Sequence, residues 1–278
     1  MSAVRNMARW QNLHIHTTYA DGKDSPEEMV CKAIEKGFAS IGFSEHSYMA
    51  FSDYPYQMTV EQMGEYKKEI HHLKAKYQDQ IDIFCGLEYD LFSDVPAEVF
   101  DYIIGSVHYL DFNGKKVGFD RGVEEVRALI DERFGGDGLK FSEKYFETLL
   151  LLPQKLKVDI LGHFDILTKT NELRQSIDTS SVAYLRLGFD SIHQLKGKIP
   201  FFEVNTGAIS RGYRTTPYPQ MEFLQAFKEN GFGAVITSDC HNKDFIDCHY
   251  DEAKELLLAA GFRSQWILTD NGFKEVAL

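Results

Sequence analysis

Cysteine is scarce in this 278-residue chain, and its placement excludes more than its number does. Cys31, Cys85, Cys240 and Cys248 show no Cys-x-x-Cys spacing. That pattern indicates neither a disulfide framework nor a thiolate zinc site. Long apolar runs are missing too. The longest, Leu149-Leu150-Leu151-Leu152, is far short of a bilayer span. Met1–Trp10 carries Arg5 and Arg9 but no apolar core, so it does not read as a signal peptide, and a cytoplasmic protein is expected. Positive charge is in deficit: 30 Lys and Arg against 42 Asp and Glu, a net −12. A sequence-independent nucleic-acid binder needs a basic face to displace counterions, so that class is disfavoured. A small anionic substrate is not, because bound cations can reverse the local sign. There is no low-complexity stretch, internal repeat or Pro/Ser-rich linker, so residues 1–278 are expected to form a single domain.

What is present is an alternation. Short β-rich runs end in polar residues: Asn12–His16, Ala39–His46, Ile81–Leu91, Tyr102–Leu110, Val158–Ile166, Ile199–Ala208 and Gly233–His241. Helical patterns fill the gaps. Ser25-Pro26-Glu27-Glu28 is a helix start with a capping box, and Gly37 is its stop. Val60–Gln78 places Met63, Tyr66, Ile70 and Leu73 at helical spacing. Val123–Phe134, Phe141–Leu156, Ser181–Leu195, Gln220–Asn230 and Asp251–Ala260 follow. Alternating strands and helices imply a parallel sheet, and seven units favour an α/β barrel over an open sheet. Barrel active sites sit at the C-terminal ends of the strands.

Those ends carry the chemistry. Of ten histidines, His14, His16, His46, His108, His163 and His241 stand at candidate strand ends. With a strand period of two, His14 and His16 share a side, as do Asp239 and His241, with Cys240 turned away. A His-x-His at one end of the chain and an Asp-x-His at the other meet only if the barrel closes. Glu88 ends a further strand. Ionisable groups repeated after apolar runs are costly unless paired or metal-bound, and mixed His and carboxylate ligands suit Zn, Mn or Fe.

The order His14-x-His16, Asp21, Glu45-His46, Gly86-x-Glu88, His108, Gly162-His163-x-Asp165, Asp239-x-His241 resembles the PHP (polymerase and histidinol phosphatase) superfamily. The length and Glu203-Val-Asn205-Thr-Gly207 are most similar to its histidinol-phosphate phosphatases. The resemblance implies a distorted, TIM-like (β/α)7 barrel and three divalent metal ions. One would take His14, His16, Glu88 and Asp239; a second Glu88, His108 and His163, with Glu88 bridging; a third Asp21, His46 and His241. About six cationic charges against three carboxylates leave about +3 for a phosphate dianion. Glu88, Asp239 and His241 are then the catalytic group, and water supplies the nucleophile. Arg174 and Arg211 are the candidates for planar phosphate recognition, ahead of Arg121 and Arg214.

The expected activity is hydrolysis of L-histidinol phosphate, a small phosphate monoester, in histidine biosynthesis. Neither nucleic acid nor membrane is expected as a partner, and the sequence does not set an oligomeric state. The alternatives are a phosphotyrosine-protein phosphatase, a nuclease-like phosphoesterase, or a domain that keeps its metals for structure or for partner binding. An acidic group should meet the substrate's amine or imidazole, with Glu203 and Asp165 as candidates. Asp165 is equally suited to orienting His163 or to core hydrogen bonding. Tyr19, Tyr48, Phe51, Tyr54 and Tyr56 crowd the loops near Asp21 and His46, where loop packing or a pocket wall would use them. His71, His72, His193 and His249 read as surface residues, and Cys85 and Cys240 as small buried hydrophobes.

Overall fold

The computed structural model describes residues 10–52, 57–96 and 99–278. Met1–Arg9, Tyr54 and Tyr56 therefore lie outside the described residues. The strands, in chain order, are β1 (Gln11–Asn12), β2 (Ser40–Phe43), β3 (Asp82–Asp90), β4 (Tyr102–Ser106), β5 (Tyr109–Phe112), β6 (Lys115–Gly118), β7 (Ile160–Leu161), β8 (Phe201–Asn205), β9 (Gly233–Thr237), β10 (Ser264–Thr269) and β11 (Gly272–Ala277). Seven of them form one all-parallel sheet in the order β1-β2-β3-β4-β7-β8-β9. The two ends of that sheet meet where Ile15 pairs with Cys240: His16 N–H donates to Cys240 O at 3.0 Å, and Cys240 N–H to His14 O at 3.3 Å. The result is the distorted α/β barrel expected from the alternation.

Nine helices are assigned among the described residues: α1 (Pro26–Glu35), α2 (Val60–Lys76), α3 (Val123–Phe134), α4 (Gly138–Leu149), α5 (Leu152–Lys155), α6 (Val182–Leu195), α7 (Gly207–Ser210), α8 (Met221–Glu229) and α9 (Tyr250–Ala259). Ser25 and Glu28 make the expected capping box at α1, and Gly37 closes that helix at φ 76°. The single helix expected over Phe141–Leu156 is two, α4 and α5. Pro153 has no N–H for the Leu149 carbonyl, so the helix is interrupted and restarts. None of the described helices is long and apolar enough to cross a membrane.

The barrel interior below the strand ends is apolar. Leu13, Phe84, Tyr102, Ile104, Ile160, Phe201, Val235 and Leu268 fill it. The Tyr102 ring lies against β2 and β3, and its hydroxyl reaches Leu13 O at 2.5 Å and Phe43 O at 3.0 Å. Gly42 and Gly86 admit it: a Cβ would stand 2.5 Å and 2.3 Å from its atoms.

Two antiparallel hairpins were not legible as such in the alternation. The β10–β11 hairpin plugs the barrel's lower end, where the Gln11 side chain bonds both Leu268 N and Leu268 O. The other, β5–β6, replaces the end of the strand expected over Tyr102–Leu110. It turns at Asn113 (φ 55°) and Gly114 (φ 92°). Asn-Gly between β-rich runs is the sequence signal that marks it.

Candidate metal centre and cavity

At the seam, the Ile15–Cys240 pairing brings the two ends of the sequence into one site. His14 Nε2 and His16 Nε2 lie 3.7 Å and 3.3 Å from Asp239 Oδ1. The expected extended strand through His241 is not what achieves this. β9 ends at Thr237, and Asp239 adopts φ 45°. A left-handed residue other than glycine is strained by about 1–2 kcal/mol. Hydrogen bonds hold Asp239 there: Arg211 Nη2 donates to its Oδ2 at 3.0 Å, Arg211 Nη1 to its carbonyl at 2.9 Å, and Asn205 Nδ2 to Oδ2 at 3.3 Å.

Asp21 arrives from the loop after β1. Its Oδ2 is 3.2 Å from His241 Nε2 and 3.6 Å from His46 Nε2. Gly22 makes that loop possible, since a Cβ there would stand 2.3 Å from His16 O. Glu88, on β3, is the hub. Its Oε1 faces His163 Nε2 at 3.0 Å and His108 Nε2 at 3.4 Å. Its Oε2 faces His46 Nδ1 at 2.8 Å, His14 Nε2 at 3.5 Å and His16 Nε2 at 3.6 Å. All nine residues expected as ligands therefore converge. Donor atoms of eight of them form three overlapping groups, His16-Asp21-His46-His241, His14-His16-Asp239 and His46-Glu88-His108, while His163 joins through Glu88 Oε1. The groups differ from the expected sets in sharing His16 and His46.

The donor chemistry fits divalent cations. His14 Nε2, His16 Nε2 and Glu88 Oε2 are buried without a hydrogen-bond partner, and His108 Nε2 and His163 Nε2 face each other at 3.3 Å. Burial opposes charge on His14, but Glu203, Asp239 and Glu88 outweigh it and raise its pKa well above the imidazole range. Burial, then His241 and His46, drive His16 down to about 3, leaving it a neutral donor. Burial disfavours the Glu88 carboxylate, yet His46, His14 and His108 hold it well below the usual range.

Outside the expected ligand set, two carboxylates fix imidazoles from behind. Glu203 Oε2 meets His14 Nδ1 at 2.9 Å, and its Oε1 accepts from His163 N–H at 2.7 Å. Asp90 Oδ2 lies 3.4 Å from His108 Nδ1 and accepts from the His108 backbone N–H at 2.8 Å. Glu203 and Asp165 are fully buried and do not line the cavity, contrary to the role foreseen for them at the substrate. Asp165 instead accepts from Gln220 N–H at 3.1 Å. Glu45, beside His46, accepts from Thr17, and burial raises it to about 8.

Above the cluster lies a cavity of about 210 Å³. Arg211 lines it, as expected. Arg174 does not: it is half exposed and pairs with Glu124 at 3.0 Å. Of the weaker candidates, Arg121 lines the cavity, while Arg214 packs on the Tyr218 ring and donates to Thr168. Asp120, Lys169, Tyr109 and Tyr213 also line it and were not singled out by the strand-end pattern. Lys169 Nζ is 2.6 Å from Asp120 Oδ1 and lies over the Tyr213 ring at 4.7 Å. Burial disfavours the Asp120 carboxylate, but Lys169 and His108 hold it down at about 2. His71, His72, His193 and His249 are exposed, and Cys85 and Cys240 are buried, each as expected.

The model of the PHP domain matches residues 12–189. A Schizosaccharomyces pombe protein described as "Probable histidinol-phosphatase" is 28% identical over 264 residues, covering 88% of this chain and 84% of its own. The DNA polymerase/3'-5' exonuclease PolX of Bacillus subtilis is 32% identical over 270 residues, 94% of this chain but 38% of that protein. The crystal structure of histidinol phosphate phosphatase from Lactococcus lactis, complexed with Zn, L-histidinol and phosphate, superposes with a TM-score of 0.72. It shares 21% identity over 95% of this chain and 98% of that one, and so shares the fold. On the domain match and the ligand geometry together, the chain belongs to the PHP domain family.

Proposed function

We propose that this chain is a histidinol-phosphatase, hydrolysing L-histidinol phosphate to L-histidinol and inorganic phosphate within histidine biosynthesis. The observation that carries the reading is the Glu88 carboxylate, whose two oxygens serve two sets of imidazoles directly beneath a cavity lined by Arg211. The name of the S. pombe relative, and the L-histidinol and phosphate held by the L. lactis enzyme, support the substrate.

His14, His16, Glu88 and Asp239 would hold one divalent ion; Glu88, His108 and His163 a second; Asp21, His46 and His241 a third. Zn, Mn or Fe all suit this donor set. Bound there, such ions acidify water and offset charge on the phosphoryl oxygens. The chain's own residues do the rest. Asp239 is oriented by Arg211 and Asn205. His241 stands at the cavity wall beside Asp21. Arg211 presents fixed positive charge to the phosphate. The described lining contains no serine, threonine or cysteine, which supports water as the attacking group. Ligands spread from His14 to His241 support a single catalytic domain.

The similarity to PolX gives a nuclease-like activity a specific observation in its favour. A panel of L-histidinol phosphate, p-nitrophenyl phosphate, phosphotyrosine peptide and single-stranded DNA, with metal analysis of the same sample, separates these. The expected outcome is a kcat/KM for L-histidinol phosphate at least 100-fold above the others. Equal rates on p-nitrophenyl phosphate would sink the substrate assignment.

A further inference from the structure

L-Histidinol phosphate carries an ammonium on the carbon next to its ester carbon, so that cation must lie close to the phosphate. The cavity around it is rich in positive charge: Arg121, Lys169 and Arg211 all line it, before any bound metal is counted. The phosphate is attracted there, but the ammonium is repelled unless a carboxylate is set aside for it. Four carboxylates line the cavity among the described residues, and Asp21, Glu88 and Asp239 are engaged with the imidazoles of the ligand cluster. Asp120 is the fourth.

We propose that Asp120 determines specificity by accepting the substrate's ammonium. This rests on the histidinol phosphate reading above. Asp120 is placed for the role by the β5–β6 hairpin. The hairpin leaves directly from His108, and its return brings Phe119 N–H to His108 O at 3.0 Å. Asp120 therefore follows immediately beside a cluster residue, where a group close to the ester must bind. Lys169 engages one of its oxygens, Oδ1. A carboxylate accepts several hydrogen bonds, and one ammonium does not exhaust it. The competing role is structural: the same ion pair ties the loop after His108 to the loop after His163.

Kinetics on holoenzyme distinguish the two. L-Histidinol phosphate is compared with its des-amino analogue, the same ester with hydrogen in place of the amine, and with p-nitrophenyl phosphate. Asp120→Asn is expected to raise KM for L-histidinol phosphate roughly 10- to 100-fold beyond any change on the des-amino analogue, the range for a charge-assisted hydrogen bond. Asp120→Glu should recover part of that loss, and wild type should itself prefer the amine-bearing ester. An Asp120→Asn loss of equal size on both esters overturns the inference, as does a wild type indifferent to the amine. Should Asp120→Asn fail to fold, the wild-type comparison and Asp120→Glu still decide it. If wild type does not favour L-histidinol phosphate over p-nitrophenyl phosphate, the substrate reading fails and this inference falls with it. If that preference holds while the amine dependence of Asp120→Asn is absent, only this inference fails.

Discussion

Glu203 does not reach the cavity, yet it decides which nitrogen of His14 faces the cluster. By taking Nδ1 at 2.9 Å it leaves Nε2 toward Asp239 and Glu88. Carboxylates behind ligating imidazoles typically support metal affinity or activity by 10- to 100-fold. Glu203→Gln is therefore expected to weaken metal retention by about that factor, as read by metal content against a chelator series. Unchanged retention would refute the positioning role. Arg211 and Arg174 separate in the same way. Arg211→Ala should raise KM for the phosphate ester roughly 10- to 100-fold, since it removes charge at the cavity wall and frees Asp239. Arg174→Ala should stay within about 2-fold, as its partner is the exposed Glu124. A large Arg174 effect would restore it to the site.

At the scale of elements, two glycines make opposite predictions. Gly86, two residues before Glu88 on β3, is where the Tyr102 ring lies, and a Cβ would stand 2.3 Å from it. Tyr102 is fully buried and hydrogen-bonded at its hydroxyl, so it has little room to retreat. Gly86→Ala should cost about 1–3 kcal/mol, the usual range for overpacking a core, and lower metal content by shifting Glu88. Gly64 lies inside α2, and a Cβ there would meet nothing within 4 Å. Gly64→Ala should stabilise by about 0.5–1 kcal/mol, because glycine is a poor helix residue. Urea midpoints measure both, and a stabilising Gly86→Ala would show that the barrel interior yields more easily than the Tyr102 contacts imply. The β5–β6 hairpin is the element with most consequence for function. Its Asn113-Gly114 turn has a local sequence signal that the strand–helix alternation passed over, and what the turn delivers, Asp120 beside His108, has none.

Over the whole molecule, an acidic chain of net −12 surrounds a cavity in which cations must gather. Asp120 gives a pH-dependent measure of that field. Its folded pKa of about 2 lies below the unfolded carboxylate value of about 3.9. Its contribution to stability is thus present above about pH 4 and lost as pH falls toward about 2. In chelator-treated protein, Asp120→Asn should be about 1–2 kcal/mol less stable than wild type at about pH 6, and the gap should close between about pH 4 and pH 2. A gap that stayed constant through that range would assign the loss to packing.

By itself the sequence singled out the clustered histidines and carboxylates, and the barrel. A strand that ends in a histidine or a carboxylate, repeated unit after unit, is unexplained by packing, and these residues meet in space with Asp21 from the loop after β1. Helix boundaries were legible at some local caps, as at Ser25 and Gly37, but not at Asp137, which caps α4 at a start three residues before the one expected at Phe141. The tertiary structure decided what depends on distance. Arg174 and Arg211 look alike in sequence, and only the fold puts one against Glu124 and the other against Asp239. Glu203 and Asp120 are both acidic residues near ligands, and burial alone sends the first behind His14 and leaves the second at the cavity. The physical reason is range. Alternation, capping and turn chemistry act over a few residues, whereas the partner of a carboxylate is fixed by closure of the barrel at Ile15 and Cys240, which are joined by no local signal.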